Sequence, residues 1–205
     1  MSYILSNSIH GKLILEKLNP HEWSGFNISL ENFLNILNFL NYNNESKELE
    51  EIIEYYINVI DIDSACKYNL NEIKGSIFKI GIYSDIDELD NEHKKIVKDI
   101  NFIIDDIINV GKRYNTDTNC KLEFTDRDGY YINITKKRYQ NLEKYRKTYK
   151  IVSQQQGYLK ITTDELIEYS KNLNECLINL SQLSLKYYKS FMTDFIYKFN
   201  KKLEN

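Results

Sequence analysis

Cys120-Lys-Leu-Glu-Phe-Thr-Asp-Arg-Asp-Gly-Tyr-Tyr-Ile-Asn-Ile-Thr135 decides the fold. Leu122 and Phe124 alternate with Lys121 and Glu123, and Tyr130, Ile132 and Ile134 alternate with Tyr131, Asn133 and Thr135. A period of two is the mark of a strand with one apolar face. Between the two runs, Asp126-Arg127-Asp128-Gly129 has the Asp-Gly chemistry of a tight turn. Tyr130 and Tyr131 fall on opposite faces and read as sheet and core residues. Downstream, residues 149–154 and 158–161 read as two more strands about Gln155-Gln156-Gly157, with a short helix at 136–143 before them. Thr162 and Glu165 have capping-box spacing for a last helix.

Outward from this insert the period changes to that of helices. Ile86, Leu89, Ile96, Ile100, Ile103, Ile107 and Val110 form a stripe that begins at Ser84, a capping residue with Asp85, Asp87 and Glu88 in the first turn. Leu166, Leu173, Leu177, Leu180, Tyr187, Phe191 and Phe195 mark a second stripe, on a helix that starts near Thr163. The spacing predicts that these two stripes pack antiparallel. Leu185, Tyr188, Met192, Ile196 and Phe199 widen the second into an apolar face that could serve association. Nearer the N-terminus, Asn19-Pro20-His21-Glu22 reads as a helix start. Leu30, Phe33, Leu34 and Leu37 follow it, and a second helix is expected over about 46–60. Residues 61–83 look irregular.

Composition narrows the class. The chain has 205 residues, 42% of them hydrophobic and 28% charged, with seven Gly and one Pro. That suits long helices and disfavours turn-rich sandwiches. No apolar run has the length of a membrane span, and the first residues lack the pattern of a signal peptide. Cys66, Cys120 and Cys176 are widely spaced and odd in number, which fits an intracellular, reducing compartment. Nucleus, cytoplasm and viral factory are not distinguished. His10, His21 and His93 do not fall at metal-ligand spacing, and no cofactor is expected. No Ser/His/Asp or Cys/His arrangement stands out, so no catalytic activity is expected.

Charge is unevenly placed. From Lys136 to Lys160 there are eight basic residues and one acid, +7, in a chain of net −3. Lys136, Lys137, Arg138, Lys147, Lys150 and Lys160 are candidate phosphate contacts, with Gln154, Gln155, Gln156 and Gly157 as neutral donors at a turn.

Several blocks resemble the MutS DNA mismatch-repair family. Gly129-Tyr-Tyr-Ile-Asn-Ile-Thr135 is similar to its clamp strand, and Leu159-Lys-Ile-Thr-Thr-Asp-Glu-Leu166 to its closing strand and Thr-Pro-Glu-Leu, with Asp164 in place of the Pro. Gly81-Ile-Tyr-Ser-Asp-Ile-Asp-Glu-Leu89 resembles the family's Gly-Tyr-x-x-x-Leu-Asp-Glu-Leu. Leu18-Asn19-Pro20 with Ser29-Leu30 resembles the start of its lever. Lys160 stands where the family's tip Arg would be. No Gly-x-x-x-x-Gly-Lys-Ser/Thr and no Phe-x-Glu occur, so the family's ATPase and mismatch-wedge motifs are not in this sequence. Part of the lever before Met1 would also be lacking.

The resemblance implies a mostly α fold: an elongated helical lever with an inserted small α+β clamp of four strands at its tip. It divides as lever at 1–115, clamp at 116–165 and returning helix at 166–205. The implied role is gripping the double-stranded DNA backbone without base readout, through roughly three to five phosphate contacts. The implied partners are DNA and other domains or a second subunit of a MutS-like dimer, with no membrane. The competing class is a structural or protein-interaction helical module that leaves the basic segment in solvent.

Overall fold

The computed structural model describes residues 9–125, 127–144 and 149–204. The sequence readings that involve Asp126, Tyr145, Arg146 and Lys147 lie outside these residues. The elements are α1 (Glu22–Phe39), α2 (Asn43–Ile57), α3 (Ile62–Ala65), α4 (Ser84–Arg113), β1 (Lys121–Thr125), β2 (Gly129–Thr135), α5 (Lys136–Glu143), β3 (Lys150–Gln155), β4 (Tyr158–Thr162) and α6 (Asp164–Glu204). The fold is mostly helical, with a four-strand antiparallel sheet inserted between long helices. Two compact units contain them: Met1–Asp90 with Leu177–Asn205, and Asn91–Cys176.

The first unit is built on Trp23. Its indole lies 5.1 Å from Tyr56, 5.6 Å from Phe26 and 5.3 Å from Phe195, ring centre to ring centre. Offset and edge-on pairs of this kind add to the large apolar area each ring buries. The indole N–H also finds an acceptor, donating to the Tyr188 hydroxyl at 2.7 Å, which in turn donates to the Leu18 carbonyl. Tyr188, Met192 and Phe199 are fully buried here, and Leu185 and Ile196 pack against them. The face that the sequence offered for association is therefore core, because rings from α1 and α2 already cover it.

Two local expectations shift. Pro20 is not the first helical residue; α1 begins at Glu22, and Asn19 uses its side chain elsewhere, accepting from the Leu70 N–H at 3.0 Å. The reciprocal half of the capping box survives, since the Glu22 carboxylate accepts from the Asn19 backbone N–H at 2.9 Å. The stretch read as irregular contains α3 and a bridge between Ile60 and Phe78.

The motif at Gly81 has a mechanical reading. Gly81 sits at φ +91°, a conformation that side chains disfavour, and its N–H donates to the Asp87 carboxylate at 2.8 Å. Tyr83 stacks on Tyr187 at 4.1 Å, and the Tyr187 hydroxyl donates to Asp85 at 2.7 Å. Further along α4, Leu89 shares a shallow cleft with Asn179, Leu183 and Lys186. As α4 advances from 85 to 89, its partners on α6 recede, so within this unit the two helices run antiparallel.

The second unit holds the sheet, in the order β1-β2-β4-β3, all antiparallel. Leu122 pairs with Ile132, Ile132 with Ile161, and Ile134 with Leu159. Residues paired across a ladder share a face, so these five side chains make one apolar face. Glu123, Tyr131, Asn133 and Lys160 make the other. Ile132, Ile134, Ile161 and Leu142 of α5 are buried, each worth about 1.5–3 kcal/mol in removed apolar surface. A bulge interrupts β3 between Ile151 and Ser153. The cap of α6 is Thr163, not Thr162: the Leu166 N–H donates to the Thr163 hydroxyl at 3.0 Å. Thr162 is still in the ladder, paired with Lys150, so its backbone is extended and the helix starts one residue later.

Candidate nucleic-acid interface

The short helix α5 starts where β2 ends. Thr135 is extended and accepts from the Arg138 N–H at 3.3 Å, which caps the helix. Thr135 also pairs with Tyr158 across β2 and β4. That register carries the β3–β4 turn to the start of α5, and the Lys136 N–H donates to the Gly157 carbonyl at 3.1 Å. Gly157 takes φ +85° with open space about its Cα, so glycine is needed here for backbone conformation and not for room.

The result is one exposed end of the sheet. Lys136 and Lys137 stand at the start of α5, beside Gln156 and Gly157 of the turn. Gln154 and Gln155 lead into that turn along the edge strand β3, exposed to solvent, and Tyr158 follows it, half exposed. Lys137 and the three glutamines are exposed here, and Lys136 is partly exposed. Hydrogen-bond donors on cationic or neutral side chains suit phosphate oxygens. The helix start offers little more, because the Lys136 and Arg138 N–H groups are already taken.

The other predicted cations are tied to acids that lie outside the basic segment. Arg138 Nε donates to Asp117 at 2.7 Å. Hydrogen bonds from Arg138 and then from the Asn119 N–H hold the Asp117 carboxyl below the usual carboxylate range. Asn141 donates to the Asp117 carbonyl at 3.1 Å, so one residue docks α5 twice. Lys150 pairs with Asp164 at the start of α6. Lys160 lies 3.6 Å from Asp128 and 4.2 Å above the Tyr131 ring, with its side chain only 22% exposed. Lys147 lies outside the described residues.

The +7 counted along the chain is therefore reduced in space. The second unit, 91–176, carries 16 basic and 13 acidic residues, net +3, and the first unit is net −6. Among the described residues, Lys136, Lys137 and Lys144 have no acid at ion-pair distance. Asp117, Asp128 and Asp164 are the residues that sequence reasoning missed. One signal was available: pairing Lys150 with Thr162 places Asp164 two residues away.

Other chemistry has little footing at this end. Among the described residues, no group of three His, Cys, Asp or Glu could hold a metal ion. Burial pushes the Cys120 thiol up to about 11 despite the nearby Arg138 charge, which disarms it as a nucleophile. No described helix is long and apolar enough to cross a membrane.

Comparison with known protein families matches residues 81–178 to MutS family domain IV. No curated protein matches the chain. The matched stretch runs from the Gly81 turn through the whole sheet, α5 and about the first third of α6, which includes the exposed end at Lys136 and Gly157. Over residues 81–178, a little under half of its length, the chain is similar to MutS family domain IV.

Proposed function

We propose that the domain grips the sugar-phosphate backbone of duplex DNA, without reading bases, as part of a MutS-like mismatch-repair role. The observation that carries this reading is the meeting of Lys136 and Lys137, neither of them in an ion pair among the described residues, with the exposed Gln156–Gly157 turn at one end of the sheet. Lysines and amides reach phosphate oxygens, and phosphate contacts position a protein without carrying sequence information. The three ion-paired cations contribute less. The footprint is about three phosphate contacts, at the lower end of the range expected from the sequence. The role is binding, with no catalytic step assigned to this chain.

The direct test is charge reversal. Lys136→Glu with Lys137→Glu should reduce homoduplex affinity at least tenfold in a fluorescence anisotropy titration. Lys74→Glu with Lys79→Glu, exposed in the first unit, should leave it within twofold. Equal loss from both pairs would make the attraction diffuse and remove the site. No binding by the unaltered chain would favour the interaction-module reading. ATP hydrolysis abolished by a substitution in this chain would refute the non-catalytic assignment.

A further inference from the structure

A cleft of about 570 Å³ opens on the second unit, between α4 and the junction of β4 with α6. That is the size of a small-molecule site. Asp99, Phe102, Ile103 and Asp106 line it from α4. They fall at i, i+3, i+4 and i+7, so they share one face of the helix. The two carboxylates stand about 10 Å apart along the axis, with the apolar pair between them. Glu165 and Tyr169, one turn apart on α6, repeat the pairing of acid and ring, and Tyr149 adds a third ring.

This lining selects a ligand by charge and by shape. Among the described residues it carries four carboxylates and no cation, on a unit of net charge +3. Lys150 offsets Asp164, but Asp99 and Glu165 make no ion pair among the described residues. That sign turns a phosphate backbone away from the cleft. The carboxylates do not converge on one metal ion either: among the described residues no three His, Cys, Asp or Glu could hold one. Phe102 is 71% exposed, a large ring left in water at the cleft. Carboxylates alone attract any cation; aromatic faces favour one that also brings an apolar body. Acids spread along the cleft, with rings and Ile103 between them, fit a cation that is itself spread, charged at its ends and apolar in its middle.

We propose that this cleft binds a linear aliphatic polyamine. Its ammonium groups lie beside the Asp99 and Glu165 carboxylates, and its methylenes run along Phe102, Ile103 and Tyr169. The site is separate from the nucleic-acid interface. Lys150 pairs with Thr162 at one end of the β3–β4 hairpin, where the cleft lies, and Gln155 pairs with Tyr158 at the other, where the basic end lies.

Isothermal titration calorimetry of the full chain with spermidine tests it, at low ionic strength where exposed charges are least screened. One equivalent should bind with a Kd of about 100 μM, an ordinary efficiency for so small a ligand. Phe102→Ala with Tyr169→Leu should weaken binding about tenfold, through the lost ring faces. Asp99→Asn with Glu165→Gln, which keep side-chain volume, should also weaken it about tenfold. Glu45→Gln with Glu48→Gln, exposed acids of the first unit, should leave it unchanged. All three variants should keep the circular dichroism spectrum of the unaltered chain. No heat of binding would overturn the proposal. So would binding that the ring substitutions leave unchanged, or that equimolar Mg²⁺ abolishes, because charge alone would then suffice. Equal loss from the Glu45 and Glu48 variant would overturn it too.

Discussion

Removing two acids should strengthen nucleic-acid binding in a way that can be worked out in advance. Asp117 holds Arg138 at 2.7 Å, and Asp164 holds Lys150. The side chains of both pairs are solvent-exposed, and exposed ion pairs are screened and weak. A phosphate can therefore compete for either cation. Asp117→Asn with Asp164→Asn keeps side-chain volume and raises the second unit from net +3 to +5. With about three phosphate contacts, log K should fall with log salt at a slope of about −2.7, or about 40-fold between about 50 and 200 mM. If Arg138 and Lys150 both turn to phosphates, the slope becomes about −4.5 and the same salt step costs about 500-fold. Asp128→Asn is the control, because Lys160 is mostly enclosed and stays over the Tyr131 ring; its slope should not change. The assay is anisotropy of a short labelled duplex over a salt series. An unchanged slope in the double variant would refute the reasoning, placing Arg138 and Lys150 off the phosphate path.

Other outcomes follow from individual contacts. Burial raises the Glu22 carboxyl, but hydrogen bonds from Lys12 and Asn19 and the Lys12 charge outweigh it and hold it low. A depressed folded pKa contributes stability that is present above about pH 4.5 and lost as pH falls through the folded value. Glu22→Gln should thus lower the denaturation midpoint at neutral pH and not in strong acid, read by Trp23 fluorescence. Leu142→Ala should cost about 2–5 kcal/mol in the second unit, because Leu142 is fully buried; a change under about 0.5 kcal/mol by chemical denaturation would contradict its place in the core. Native thiol titration should find Cys66 fast, Cys120 slow because burial raises it to about 11, and Cys176 protected. Three fast thiols before denaturation would contradict that order.

Much of this fold could be read from local pattern. The alternation at 121–125 and 129–135 and the stripe from Ile86 to Val110 each report one face of one element, and all three elements form where the pattern put them. What failed needed distant residues. Tyr188 and Phe199 looked available because their partners, Trp23 and Tyr55, lie more than 140 positions away. The capping box at Thr162 was displaced by a ladder pair with Lys150, which no local signal at Thr162 reveals. The candidate site shows the same limit. The basic segment was visible as a run of charge, and the turn at Gly157 as a hairpin signal. Their convergence depends on the Thr135–Tyr158 register, and the cancelling acids arrive from three other elements. Counting charge along the chain gave +7; folding leaves Lys136, Lys137 and Lys144 without a paired acid among the described residues.

The central claim is backbone gripping without base readout. Titration of two duplexes identical but for one mismatched base pair tests it most directly, each followed from about 50 to 200 mM salt. The account predicts affinities equal within about twofold and a common slope near −2.7. A preference for the mismatched duplex above tenfold, or binding that does not depend on salt, would contradict it.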